Sequence, residues 1–361
     1  MAPALAIIEA MPKDAEIVFI GRKQAFEGDS AVSLEYEEIT QRGIEFVILP
    51  TGRLQRSITR HTLPSLLRLP KSFQTARGIL QEIRPDIVLS FGGYIGLPVV
   101  IAASTLKIPS VIHEQTTRAG FANKLSARFA STICISWESS RQYFPTSKSV
   151  LTGNPLRKEI LQARREKKKT DIPRIYVTGG SAGSHAMNVL VEKYLKELTA
   201  LSVIIHQTGD TREFGDFARL SKLRETLPPE LRSRYKVEKF LFSKEAAEVM
   251  ASSDLVVSRS GINTISELIY FERPTLCIPL PTGQKGEQEE NAELLTALGL
   301  GRVLFQQKAD DFFLSQIKEM LERRSTFYLN DPSQKERFST AADTIVRILS
   351  DVAKKTSNEK I

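Results

Sequence analysis

Short apolar runs of strand length recur along the chain, and stretches of helical length separate them. In the first half they fall at 17–20, 46–49, 87–89, 110–112, 132–135 and 150–151; in the second half they fall at 175–178, 203–206, 236–240, 255–257, 275–278 and 303–305. Strands alternating with helices imply parallel βαβ units and doubly wound sheets. The chain opens differently, on an apolar helix (Pro3-Ala4-Leu5-Ala6-Ile7-Ile8) with no strand before it. The run Arg164-Arg165-Glu166-Lys167-Lys168-Lys169 reads as a solvated connection between two halves. After Pro332, the positions Phe338, Ala342, Ile345, Ile348, Leu349 and Val352 mark one long amphipathic helix. The expected organisation is α/β, with two Rossmann-like doubly wound domains facing a cleft. The first covers 1–156 and takes back the C-terminal helix 336–361; the second covers 157–335.

One stretch carries more chemistry than the rest. The run Asp254-Leu255-Val256-Val257 ends in Ser258-Arg259-Ser260-Gly261, and a helix from Ile262 to Phe271 follows, with Ile265, Leu268 and Ile269 on one face. A strand that turns through Ser-Gly into a helix aims backbone N–H groups and a positive dipole end outward, the arrangement that holds a phosphate. Glu267 lies one turn further in, on the face that begins with Thr264. A carboxylate there repels phosphate but accepts two hydrogen bonds from a sugar or ribose diol. After the strand that Pro274 restarts and a polar loop, Gln288 and Asn291 open the next helix. Together these predict a nucleotide-sugar pocket. An ordinary βαβα unit with a solvated Glu267 is the alternative.

Composition narrows the partners. The 361 residues suffice for two cores, and the net charge of +8 favours an anionic partner. Cys134 and Cys277 both sit in apolar strand patterns and read as core thiols in a reducing compartment. No apolar run approaches the ~20 residues that span a bilayer. The expected location is the cytoplasm or the cytoplasmic face of a membrane.

Between Arg53 and Arg77 stand six basic residues (Arg53, Arg56, Arg60, Arg68, Lys71 and Arg77) and no acid, interleaved with Leu63, Leu66, Leu67, Leu69 and Phe73. Such a segment suits an anionic membrane surface, with apolar side chains entering the interface and cations meeting headgroups. Arg56, Arg60, Leu66, Leu67 and Lys71 are its candidate contacts. A packed helix with a solvated basic face is the alternative. Aromatic residues are too sparse for a nucleic-acid stacking platform, so no nucleic-acid partner is expected. Elsewhere, Gly92, Gly93 and Tyr94 follow a strand, where paired glycines let backbone approach a ligand. His113 and Glu114 end the next strand and are candidates for acid/base work, or else a buried pair bracing the loop. The loop Gly179-Gly180-Ser181-Ala182-Gly183-Ser184 lacks the ending of a P-loop and lacks a dinucleotide fingerprint.

Taken in order, these pieces resemble the MurG family of peptidoglycan N-acetylglucosaminyltransferases. The matching motifs are Pro3-Ala4-Leu5, Gly92-Gly93-Tyr94, His113-Glu114-Gln115, Gly153-Asn154-Pro155-Leu156-Arg157, Gly179-Gly180-Ser181-Ala182-Gly183, His206-Gln207-Thr208-Gly209, Arg259-Ser260-Gly261 with Thr264 and Glu267, and Gln288 with Asn291. The resemblance implies a GT-B fold. It also implies inverting transfer of N-acetylglucosamine from UDP-GlcNAc to lipid I, the undecaprenyl-linked muramyl-pentapeptide, at the anionic inner-membrane surface. By that resemblance Arg157 and Ser181 contact the diphosphate side, Thr264 the phosphates, Glu267 the ribose hydroxyls and Gln288 the sugar, with Ser243, Ile262 and Asn263 beside the uracil. No metal or cofactor is implied, in keeping with a chain that contains no Asp-X-Asp pair.

The departures from the family are specific. Thr116 stands where Asn usually follows His-Glu-Gln, and Ser243 and Asn263 stand where the uracil usually meets apolar residues. The family's first strand and its Gly-Gly-Thr-Gly-Gly-His loop, which carries the favoured general base, have no counterpart ahead of Met1. The expectation is an incomplete reading of the gene, with little transfer until about 15–20 residues are restored, enough for one strand and loop. His113 and Glu114 are then the remaining base candidates. An inactive nucleotide-sugar or membrane-binding module, or a UDP-sugar epimerase of the same fold, are the competing functions.

Overall fold

The computed structural model describes residues 1–24, 33–50, 69–164, 171–180, 182–209, 213–281 and 286–358. The chain divides into two units, Met1–Pro155 with Thr340–Ile361, and Leu156–Ser339.

In the first unit β1 (Val18–Gly21) pairs in parallel with β2 (Glu45–Ile48). A separate parallel sheet holds β3 (Val88–Ser90), β4 (Ser110–Glu114), β5 (Thr132–Ile135) and β6 (Ser149–Leu151), in that order. Among the described residues these strands fall into two sheets, with no backbone ladder between β1 and β3. Side chains join them instead. Ile20 of β1 packs into a cluster with Leu49, Val88, Val99 and Ala102, which the helices Leu69–Ile83 and Gly93–Thr105 help to build. On another cluster, Ile7 of the opening helix Ala2–Ala10 meets Val111 and Cys134. Ile345 and Leu349, from the long helix Ser333–Asn358, complete it. Pro3 is tolerated in that opening helix because the first-turn N–H groups have no intrahelical acceptor to lose.

The second unit is one sheet of six parallel strands: β7 (Arg174–Thr178), β8 (Val203–Gln207), β9 (Tyr235–Glu238), β10 (Leu255–Ser258), β11 (Thr275–Cys277) and β12 (Gly301–Val303). Their spatial order is β12-β11-β10-β7-β8-β9. The chain therefore winds outward from β7 to β9, returns to the other side of β7 at β10, and winds outward again. The reversal makes β7 and β10 neighbours whose following loops diverge, and that crevice at the strand carboxyl ends is where doubly wound sheets hold ligands. Alternation along the strands sorts the two faces. Ile175, Val177, Ile204 and Val257 join the main apolar cluster with Met187, Leu190, Phe313 and Ile317 from flanking helices. Tyr176, Thr178 and Gln207 turn to the opposite face.

Among the described residues, no helix is long and apolar enough to cross a membrane.

Candidate functional site

At the crevice, β10 ends at Ser258 and the turn Arg259-Ser260-Gly261 leads into the helix Ile262–Phe271. Gly261 caps that helix in an extended conformation with no side-chain cap hydrogen bond. A glycine at the cap offers the first turn no side-chain acceptor of its own, and a helix start of this kind suits an anion. Ile262 is buried and Asn263 and Thr264 are half-buried. Burial raises the Glu267 carboxyl above its ordinary range, and the nearby Arg157 guanidinium opposes that rise. The Arg157 Nη2 lies 3.6 Å from Glu267 Oε1, which is beyond hydrogen-bond length, while its Nη1 donates to Ser243 Oγ at 2.8 Å. Ser243 opens the helix Ser243–Ser252, so three separate segments converge on one spot. Arg157 Nε is buried without a partner among the described residues.

The first turn of the helix Glu287–Ala297 is tied to the same place. Ser260 Oγ donates to the Gln288 carbonyl at 2.6 Å, Asn291 Nδ2 donates to the Ser260 carbonyl at 3.0 Å, and the Leu280 N–H donates to Gln288 Oε1 at 3.0 Å. The Gln288 side chain is thereby held at the mouth of the turn through its amide oxygen.

Arg259 is a residue whose role the sequence did not disclose. Its Nη1 donates to the carbonyls of Ile278 and Pro279 at 2.9 and 3.1 Å, and its Nη2 donates to Ser184 Oγ and Gln306 Oε1, both at 2.8 Å. All four acceptors are neutral, and burial lowers its pKa from the usual arginine value. The result is a fixed cation that links the loops after β7, β10 and β11. Its acceptors are scattered from 184 to 306, so no local pattern announces them; the Arg-Ser-Gly turn is the one visible signal.

The glycine loop after β7 closes the other side. Gly183 has φ of +76° and packs against the chain at Thr208–Gly209, where a Cβ would overlap the Thr208 carbonyl oxygen. Only glycine permits both that backbone and that approach. Ser181, expected at the diphosphate, lies outside the described residues.

In the first unit the candidates take up other roles. His113 is fully buried; its Nε2 lies 3.2 Å from the Gly153 carbonyl and 3.1 Å from Ser136 Oγ, and burial pushes its pKa down to about 4. The Glu114 carboxylate is buried too and accepts from the Thr116 and Gly120 N–H groups and from Asn123 Nδ2, each at 3.0 Å. The Thr116 hydroxyl lies 2.7 Å from the same carboxylate. Glu114 holds the loop after β4, and the His113 ring ties the chain just after β5 and β6, so the geometry favours bracing over proton transfer. Thr116 works in that brace. Gly92, with φ of +83°, packs on the Asn123 side chain, and the Tyr94 ring lies 4.7 Å beneath the Arg22 guanidinium.

Of the basic segment, Arg56, Arg60, Leu66 and Leu67 lie outside the described residues. Lys71 and Arg77 are exposed on the helix Leu69–Ile83, and Phe73 packs inward. Among the described residues no group of three or more His, Cys, Asp or Glu side chains could hold a metal ion.

Comparison with known proteins adds the family. Residues 1–135 match the glycosyltransferase family 28 N-terminal domain and residues 174–345 match its C-terminal domain. A UDP-N-acetylglucosamine--N-acetylmuramyl-(pentapeptide) pyrophosphoryl-undecaprenol N-acetylglucosamine transferase from Geobacter sulfurreducens is 32% identical over 359 residues, covering 96% of this chain and 91% of the relative. The protein of the same name from Treponema denticola is 30% identical, covering 88% and 84%. The crystal structure of Acinetobacter baumannii MurG superposes with a TM-score of 0.71 at 21% identity, over 97% of this chain and 95% of that one, which shows the GT-B fold. On these grounds the chain belongs to glycosyltransferase family 28 and, within it, to the family of UDP-N-acetylglucosamine:N-acetylmuramyl-(pentapeptide) pyrophosphoryl-undecaprenol N-acetylglucosamine transferases.

Proposed function

We propose that this protein transfers N-acetylglucosamine from UDP-GlcNAc to an undecaprenyl-pyrophosphoryl muramyl-pentapeptide, with inversion, at the cytoplasmic face of the bacterial membrane. The observation that carries the donor half is Glu267: a half-buried carboxylate set on the helix that also offers an anion site, opposed by Arg157 at 3.6 Å. Its oxygens suit the ribose diol, and the helix start next to it suits the diphosphate. Ser243, Ile262 and Asn263 then flank the uracil, and Gln288 meets the sugar. As the sugar–phosphate bond breaks, negative charge grows on the departing UDP. The fixed Arg259 cation, Arg157 and the first-turn N–H groups stabilise that charge without moving far, which is the preorganised electrostatics that lowers such barriers. Inversion takes a single displacement, with the acceptor hydroxyl giving up its proton to a base.

The membrane half rests on charge and exposure. Lys71 and Arg77 stand exposed on the helix in which the acid-free basic segment ends.

The test is transfer of radiolabel from UDP-GlcNAc to a lipid-linked muramyl-pentapeptide analogue by the native gene product, with UDP as competitor. Label in the lipid fraction, suppressed by UDP, is expected. UDP binding without transfer would make this a binding module, and label recovered as an epimeric UDP-sugar would make it an epimerase; either defeats the proposal.

A further inference from the structure

The Arg157 guanidinium is divided between a hydroxyl and a carboxylate, and the division is uneven. Its Nη1 donates to Ser243 Oγ at 2.8 Å, a full hydrogen bond, while its Nη2 stops 3.6 Å from Glu267 Oε1, too far for one. The third nitrogen, Nε, is buried without a partner among the described residues. A guanidinium binds a carboxylate best through two parallel N–H groups, taken from the Nη1–Nη2 edge or from the Nε–Nη2 edge. Neither edge is closed on Glu267. Ser243 holds the nitrogen that the first edge needs, and on the second edge Nε meets no acceptor.

The backbone around this contact is anchored, so the side chains set the distance. The Arg157 carbonyl accepts from the Ile160 and Leu161 N–H groups at 3.0 and 3.2 Å, at the start of the short helix Lys158–Gln162. Ser243 begins the helix Ser243–Ser252, whose cap residue is Phe242. Among the described residues Arg157 is the only hydrogen-bond partner of the Ser243 hydroxyl, which is therefore not spent on the helix start. The side chains of Arg157 and Glu267 are 22% and 15% exposed, so water screens their attraction only in part. Freed from Ser243, the guanidinium would be drawn onto the carboxylate.

A ribose diol presents two O–H groups side by side and meets a carboxylate as a guanidinium fork does, one donor to each oxygen. Diol and guanidinium are rivals for Glu267. We infer that Ser243 is a positioning residue for the donor nucleotide: by holding Arg157 Nη1 it keeps the guanidinium from closing on Glu267 and leaves the carboxylate open to the diol. This rests on the UDP-sugar reading above.

The experiment measures, by calorimetry on the full chain, the affinity for UDP and for dideoxy-UDP, the analogue that lacks both ribose hydroxyls. Their ratio reads the diol alone. In the unaltered protein it is expected to be at least about tenfold, the worth of hydrogen bonds to a charged acceptor. Ser243→Ala should bring the ratio toward unity, and Ser243→Thr, which keeps the hydroxyl, should retain it. Against Glu267→Gln, whose neutral amide does not draw the guanidinium in, Ser243→Ala should change the ratio no further. A hydroxyl that only stabilises the fold would lower both affinities alike and leave the ratio where it was. An unchanged ratio in Ser243→Ala, a fall in Ser243→Thr as large as in Ser243→Ala, or a further fall in the Glu267→Gln background would each overturn the inference. An unaltered protein that did not bind UDP, or bound it no better than dideoxy-UDP, would instead overturn the UDP-sugar reading.

Discussion

Arg157 holds two groups at once: its Nη1 donates to Ser243 Oγ at 2.8 Å while its Nη2 faces Glu267 Oε1 at 3.6 Å. The Glu267 contact is an attraction between charges without a hydrogen bond of ordinary length. It leaves the carboxylate with acceptor capacity and leaves the guanidinium near the place where diphosphate charge would enter. Neither group is satisfied as fully as a purely structural ion pair would be. In the proposed UDP-sugar reading, the ligand completes both.

Glu267→Gln should therefore separate stability from binding. Loss of charge-assisted bonds to the ribose diol is expected to weaken UDP-GlcNAc by about 1.5–3 kcal/mol. Because burial raises the folded-state pKa of this carboxyl, its contribution to stability is full below the unfolded pKa and is lost as pH rises through the raised value. At neutral pH the ionised group is thus a net cost, and the Gln variant should melt no lower than the parent. UDP-GlcNAc affinity should also fall on acidification at a higher pH than an ordinary glutamate would dictate. Calorimetry and thermal melts across pH 5–8 read both effects; unchanged affinity with a lowered melting temperature would make Glu267 structural.

Two buried histidines predict acid sensitivity of the opposite sign. Burial pushes His113 down to about 4 and His206 down to about 3. His206 lies 2.9 Å from the Tyr235 hydroxyl and 3.0 Å from Asn188 Oδ1, both consistent with a neutral ring that donates from Nε2. A depressed pKa leaves the unfolded chain binding more protons below the ordinary histidine value near 6.5. Stability should be complete above that value and decline as pH falls toward about 4. Urea midpoints at pH 7 and pH 5 check this. His113→Gln should shrink the difference yet keep transfer activity, and abolished transfer in a folded variant would return His113 to the reaction.

The strands were legible because a short apolar run such as Leu255-Val256-Val257 is a local signal, and β10 formed where that run stands. The donor site was legible for a similar reason: strand, Ser-Gly turn, helix and Glu267 lie within one short stretch. The role of Arg259 was not legible, because its acceptors come from four distant positions. His113 and Glu114 illustrate a different limit. A strand end places catalytic and bracing side chains alike, and only their burial and partners distinguish the two.

The exposed surface of the first unit makes a membrane prediction. Lys71 and Arg77 are exposed on one helix, and Phe121 (70% exposed) and Phe129 (40%) stand out near Lys124 and Arg128 in a stretch without acids from 115 to 137. Each basic side chain at an anionic surface contributes about 1 kcal/mol, so reversing Lys71 and Arg77 to Glu should weaken vesicle binding by roughly thirtyfold or more. Phe121→Ser should weaken it further by removing an inserted ring. Sedimentation with phosphatidylglycerol vesicles, set against neutral vesicles and raised salt, measures this. Binding that ignores both sets of changes would place the contact elsewhere.

Gly180 and Gly183 share a left-handed backbone, with φ of +82° and +76°, but differ in what surrounds them. A Cβ at Gly180 would meet open space, whereas one at Gly183 would collide with the Thr208 carbonyl oxygen and the Gly209 Cα. Gly180→Ala should therefore cost only the conformational penalty, about 1–2 kcal/mol, and fold normally. Gly183→Ala adds a clash with backbone atoms that cannot rotate away, so the loops after β7 and β8 must separate. Its cost should exceed about 3 kcal/mol, in the range of changes that break a defined structural feature. Separation would also carry Ser184 away from Arg259, which it meets at 2.8 Å, and so disturb the fixed cation at the crevice. UDP binding should then fall for Gly183→Ala even where the variant is still folded. Equal urea midpoints for the two variants would mean that the close approach of these loops does not constrain the site, and Arg259 would have to be held mainly by Ile278, Pro279 and Gln306.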